Sequence, residues 1–201
     1  MKQTVTLAGI LLAFALSLAS CGGKSKSEVN IPTEYCEELV KLAEEGNAEA
    51  QNTLGCCYDV GQGVEESDAE AFKWFEKSAK QGNAVGQNNL GLCYELGIGV
   101  EQSYKEAVKW YKKAAEQGEP QAQWNVGVDF YNKGDYAEAV KWFEKSAAQG
   151  YSGGQLMLGV CYFIGRGVDQ DKSIGYDLVR KAAEQGNESA IQELEILKAN
   201  M

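Results

Sequence analysis

An all-α solenoid built from antiparallel helix pairs is the fold that this 201-residue sequence predicts, on three observations. Five glycines, Gly46, Gly82, Gly118, Gly150 and Gly186, recur at spacings of 36, 36, 32 and 36 residues. Each closes an amphipathic stretch such as EKSAKQG or KKAAEQG, where glycine supplies the left-handed residue that ends a helix. A second series, Gly55, Gly91, Gly127 and Gly159, directly follows Leu54, Leu90, Val126 and Leu158 inside the next helix. A period of this length with two helices per unit marks a repeat array, whose units bury their apolar faces by stacking on one another.

Composition narrows the function. The chain has 19 Lys and Arg against 29 Asp and Glu, a formal charge of -10, and no His. That charge argues against a nucleic-acid partner, which requires a basic face. The absence of His removes Ser-His-Asp and Cys-His nucleophile pairs and the usual His-containing zinc sites.

Residues 1–20 read as an address. Lys2 precedes an apolar stretch from Val5 to Leu18, too short to cross a bilayer core and suited to a signal-peptide core. Leu18-Ala19-Ser20-Cys21 resembles the lipobox of bacterial lipoproteins. The resemblance implies cleavage before Cys21 and lipid attachment to it, with palmitate a fitting acyl label. Gly22 rather than Asp follows the cysteine, which by the enteric sorting pattern implies the outer membrane, facing the periplasm. Residues 21–33, polar and rich in Gly, Ser and Lys, are expected to form a flexible tether.

Residues 34–201 carry the repeats. Tyr35–Glu45 is expected as an opening cap helix, with Cys36, Leu39, Val40 and Ala43 apolar, and Asn187 to about Ala199 as a closing one. Between them, the first helix of each unit carries the mid-helix glycine. That glycine costs about 0.8–1 kcal/mol relative to Ala, and its recurrence predicts close helix–helix contact. GQGV, GIGV and GRGV form the turns to the second helices. They are not phosphate loops: Glu66, Gln102 and Gln170 stand where a third glycine belongs, and no strand precedes them. The second helices place Trp74, Trp110 and Trp142 at one register, with Leu178 as the fourth, as core residues, while Lys73, Lys109 and Lys141 fall on the solvated side.

The Leu-Gly pair, the Tyr three residues on, the GxGV turn, the Trp-aromatic pair and the closing Gln-Gly together closely resemble the Sel1-like repeat, a relative of the tetratricopeptide repeat. Residues 50–82 and 86–118 match nearly throughout, and 154–186 with departures at Gly175 and Leu178. Residues 122–150 replace the long turn by YNKGDYAEAV, similar to a plain tetratricopeptide turn. The resemblance implies a right-handed α-solenoid whose first helices line a concave groove. By register, the groove is expected to present Asn52, Asn88, Trp124, Tyr131, Leu156 and Phe163, with Glu49, Asp59, Val85, Leu92, Glu95, Val128 and Val160 among their neighbours. Trp124 and Tyr131 lie two helical turns apart on one face and are expected as an apolar anchor beside an acidic scaffold, favouring a partner segment with apolar and basic residues.

Cys57, Cys93 and Cys161 share one repeat position and read as small buried hydrophobes. Asp129 takes that position in the third unit, so burial there would demand a partner for its carboxylate. Cys36 lies level with Cys56 and Cys57 in an antiparallel pair. A Cys36–Cys57 disulfide and a simple packed contact both fit that placement. No cofactor, metal site or catalytic constellation is expected, and no Ser has Lys three residues on, as a penicillin-type serine would require. The resulting expectation is a non-catalytic scaffold, lipid-anchored in the bacterial cell envelope, that holds an envelope protein or peptide. The alternatives are a hydrolase acting on β-lactams or peptidoglycan and an envelope signalling regulator.

Overall fold

A computed structural model describes residues 33–199. The signal segment, Cys21 and nearly all of the tether lie outside the described residues. Within them the protein is all-α, with ten helices and no strand: α1 Thr33–Glu44, α2 Ala48–Val60, α3 Asp68–Lys80, α4 Ala84–Leu96, α5 Tyr104–Glu116, α6 Pro120–Asn132, α7 Tyr136–Ala148, α8 Ser152–Ile164, α9 Lys172–Glu184 and α10 Glu188–Lys198. The helices α2, α4, α6 and α8 are the first helices of their units. They form two compact units, one ending at Trp110 and the other beginning at Tyr111.

Helix ends follow the repeated residues. Asn47, Asn83 and Asn187 cap α2, α4 and α10, each accepting from the backbone N–H three residues on at 2.7–2.9 Å. All five register glycines have positive φ, from 82° at Gly150 to 98° at Gly46. The mid-helix glycines permit the close contact expected of them. A Cβ on Gly55 would fall 2.7 Å from the Phe75 ring, and one on Gly127 2.5 and 2.6 Å from Phe143.

The repeat also buries one glutamine per pair under an exposed one, which the apolar pattern did not reveal. In the first unit Gln51 donates to the Ala43 carbonyl at 3.0 Å and accepts from Gln81 at 2.7 Å, joining α1, α2 and the end of α3. In the second, Gln123 donates to Ala115 and accepts from Gln149 at 2.9 Å, while Gln155 accepts from Gln185 at 2.7 Å. Each buried amide is thereby satisfied, which removes the desolvation penalty of leaving it bare.

In the first unit the core runs through Leu39, Ala43, Leu54, Cys57 and Trp74, then through Ala71, Phe75, Leu90 and Cys93. In the second it runs through Val140, Phe143, Leu158 and Cys161, then through Phe163, Val179, Ala182 and Leu197. Leu178 packs against the core at the tryptophan register, as expected. Trp74 is buried beneath Lys77, whose Nζ stands 3.7 Å from the ring centroid, whereas Trp110 and Trp142 are half-buried. Lys73, Lys109 and Lys141 are solvated and pair with Glu70, Glu106 and Glu138.

Cys57, Cys93 and Cys161 are buried free thiols, with pKa values pushed up by burial to about 12, 12 and 11. They act as packing residues, since the thiolate is the reactive form. Cys36 packs against the cluster holding Cys57, but both are free thiols, so the structure has the packed contact and not the disulfide. Asp129 is 3% exposed, and its Oδ2 lies 2.7 Å from Nζ of Lys133, one turn on. The shortened turn after α6 supplies this cation, which reaches in from solvent.

Candidate functional site

The first-helix face of the second unit differs in chemistry from that of the first. In the first unit Asn52 is half-buried and accepts a hydrogen bond from Asn89 at 2.8 Å, and Asn88 is 1% exposed. Their amides are absorbed by packing between α2 and α4, so Asn88 does not present the open amide expected of it. Glu49 is exposed and Asp59 and Glu95 are half-buried, giving this face its acidic character. Its cavity, lined by Asp59, Phe75, Asn89, Leu92, Cys93 and Ile98, holds about 20 Å³, space for a water and not for an anchoring side chain.

In the second unit α6 and α8 carry no charged side chain except the buried, paired Asp129. Trp124, Val128, Leu156 and Val160 are half-buried, each packed below and open above, and form an apolar band. Small residues make room for it. The Trp124 ring lies over Gly153, where a Cβ would sit 3.4 Å from two ring carbons, and its centroid is 6.0 Å from that of Tyr151. The indole Nε1 of Trp124 is buried with no hydrogen-bond partner. Trp124 is thus part packing and part surface, not the fully exposed anchor that its position outside the repeated core suggests. Phe163 is a correction: at 6% exposure it belongs to the core of α8, α9 and α10, roofed by Lys172.

At the Trp124 end of α6, Glu119 and Tyr151 take helix-capping places that asparagines hold elsewhere. Glu119 accepts from the Ala122 N–H. Burial raises its pKa, against the lowering effect of the Ala122 and Gln121 N–H groups. Tyr151 makes no side-chain cap, and its hydroxyl pKa is pushed up to about 12, by burial first and by Glu119 second.

At the other end, Tyr131 joins a cluster that the register did not single out. Its ring packs edge-to-face on Tyr136, centroids 5.0 Å apart, and against Phe143 at 6.4 Å. Arg166, the second residue of GRGV, donates from Nη1 to the Tyr131 hydroxyl at 2.7 Å. Its guanidinium carbon stands 5.0 Å from the Tyr136 ring centroid and 5.7 Å from that of Tyr131. The signal in the sequence is the turn itself: Gln62 and Ile98 fill this place in the other long turns, and only the last has a cation.

Stacked helix pairs joined by buried inter-helix glutamines define a helical repeat protein. Comparison with known families gives its membership: the Sel1 repeat matches residues 48–83, 84–119, 120–151 and 152–187, and the chain belongs to that family. Sel1 repeat proteins generally serve as protein-interaction scaffolds. Among solved structures, the chain is similar to a Sel1 repeat protein from Oxalobacter formigenes, at 32% identity and a TM-score of 0.74 over 93% of this chain and 74% of that one. It is also similar to a protective antigen of uropathogenic Escherichia coli with an SLR fold, at 41% identity and a TM-score of 0.72 over 85% of this chain. It spans 37% of that antigen's length. An immunity protein of Pseudomonas aeruginosa, at 20% identity and a TM-score of 0.62 over 90% of this chain and 67% of that one, shares the fold. No curated protein matches the sequence.

Proposed function

We propose that the protein is a non-catalytic scaffold, lipid-anchored through Cys21 in the bacterial cell envelope, that holds a peptide segment of an envelope protein against α6 and α8. The observation that carries the binding half is the uncharged band of Trp124, Val128, Leu156 and Val160 in a chain of charge -10. Apolar side chains left half-open beside a packed core fit an interaction surface better than a solvated face. Leu18-Ala19-Ser20-Cys21 carries the anchoring half. The described residues contain no grouping of His, Cys, Asp and Glu suited to a metal, and the raised thiol pKa values give no support to cysteine nucleophiles.

Photo-crosslinking in cells tests the binding half, and palmitate labelling the anchoring half. A photoreactive residue at Leu156 is expected to capture a discrete envelope protein, and one at Glu144, exposed on α7, is not. With Cys21→Ser the protein is expected to lose palmitate label and leave the membrane fraction. Identical capture from both positions, or palmitate label unchanged by Cys21→Ser, would contradict the reading.

A further inference from the structure

The apolar band ends at a cation held by two tyrosines rather than by a carboxylate. In the second unit Lys133, Lys141, Arg180 and Lys198 each pair with a carboxylate three or four residues away on the chain. Arg166 does not. Among the described residues its partners are Tyr131 and Tyr136, and no ion pair is made. A guanidinium has five N–H donors in a planar fork. One is spent on the Tyr131 hydroxyl, which directs the side chain toward that ring and Tyr136 and leaves the remaining donors open to a ligand.

The contacts of Arg166 include no carboxylate. The effects that raise the Arg166 pKa come from Tyr131, Tyr136 and Cys161, with no carboxylate among them. Tyr131 is on the same helical face as Val128 and Trp124, at offsets of three and seven residues. A ligand segment lying on that face would therefore meet apolar contacts along α6 and a pre-oriented guanidinium at its end. Charge is also unevenly divided. Residues 33–110 hold 6 Lys and Arg against 15 Asp and Glu, and residues 111–199 hold 10 against 13. The basic partner that the whole-chain charge suggests thus suits the first unit and not this face.

We infer that the first-helix face of the second unit binds a partner peptide with an acidic side chain beside apolar residues, the carboxylate received by Arg166 as held on Tyr131 and Tyr136. The inference rests on the binding reading of α6 and α8 and adds the chemistry of the partner. Guanidinium and carboxylate pair through two parallel N–H···O bonds, the strong and directional form of this contact. The Tyr131 hydroxyl accepts from Arg166, and its own O–H is left to donate to the second face of the same carboxylate.

The test is selection of a random peptide library displayed on phage against the full chain, followed by affinity measurement on the best binder. Selected peptides are expected to hold Asp or Glu next to Leu, Ile, Val or an aromatic residue. Changing that acid to its amide should weaken binding to the wild type about tenfold, the value of a charged hydrogen bond. In Arg166→Gln the same change should have no effect, while Arg166→Lys should retain part of it. If peptides bind in a Trp124-dependent manner but carry no acid, or the acid-to-amide change costs the same in Arg166→Gln, the carboxylate inference falls and the binding face stands. If no peptide is selected, or binding ignores Trp124, both fall.

Discussion

Glu119 holds the capping place of α6 that Asn47, Asn83 and Asn187 hold at α2, α4 and α10. An asparagine satisfies the helix end without burying charge, whereas Glu119 buries a carboxylate and its pKa rises above the usual 4.5. A carboxyl whose folded value exceeds its unfolded value favours the folded state most at low pH, where both states are protonated. That contribution is lost as pH climbs through the raised value. Glu119→Asn is therefore expected to stabilise the protein near neutral pH, by at most about 1 kcal/mol. It should also flatten the pH dependence of the denaturation midpoint just above pH 4.5. A variant less stable than wild type at neutral pH would show that the charged cap outweighs its burial. Asp129 contrasts with Glu119. The sequence showed an acid in a cysteine place, and so a need for a partner, but not that Lys133 would reach it across a single turn.

At the scale of the helix, the glycine series made the fold legible. The register glycines end their helices in the left-handed conformation, and the mid-helix glycines Gly55, Gly127 and Gly159 sit close against the second helices, under Phe75, Phe143 and Val179, the close contact that their recurrence predicts. The two series fail differently on substitution. Gly127→Ala gains helix propensity of about 1 kcal/mol but drives a methyl into the Phe143 ring, at 2.5 and 2.6 Å. Overpacking of this kind costs about 1–3 kcal/mol, so a net loss is expected in urea melts. Gly150→Ala meets nothing within 4 Å, and its cost is the strain of φ 82° alone. Equal or raised stability of Gly127→Ala would mean that α6 and α7 pack less closely than described. Periodicity was silent on depth. It put Asn88 and Phe163 on the first-helix face but could not say how far the next helix covers them, because that depends on the size of residues in a neighbouring repeat. Trp124 is seated by Gly153 and Tyr151, both departures from the repeat, and no pattern of period 36 announces them.

For the whole molecule, repeats with nearest-neighbour contacts leave stability spread along the chain and function to the places where the pattern is broken. The second unit collects those breaks: the short turn after α6, Trp124, Tyr131, Tyr151 and Arg166. The sequence made the repeat legible, and its charge total pointed to a basic partner. The division of that charge between units, and the hold of Tyr131 on Arg166, needed coordinates. The central claim is that α6 and α8 carry the binding face. Calorimetric titration of the partner crosslinked at Leu156 into wild type and into Trp124→Ala with Tyr131→Ala measures it directly, with helicity followed by circular dichroism. The account predicts a loss of at least ~2 kcal/mol in binding, the size of a hot spot, with helicity unchanged. A folded double variant that binds the partner as tightly as wild type would contradict it.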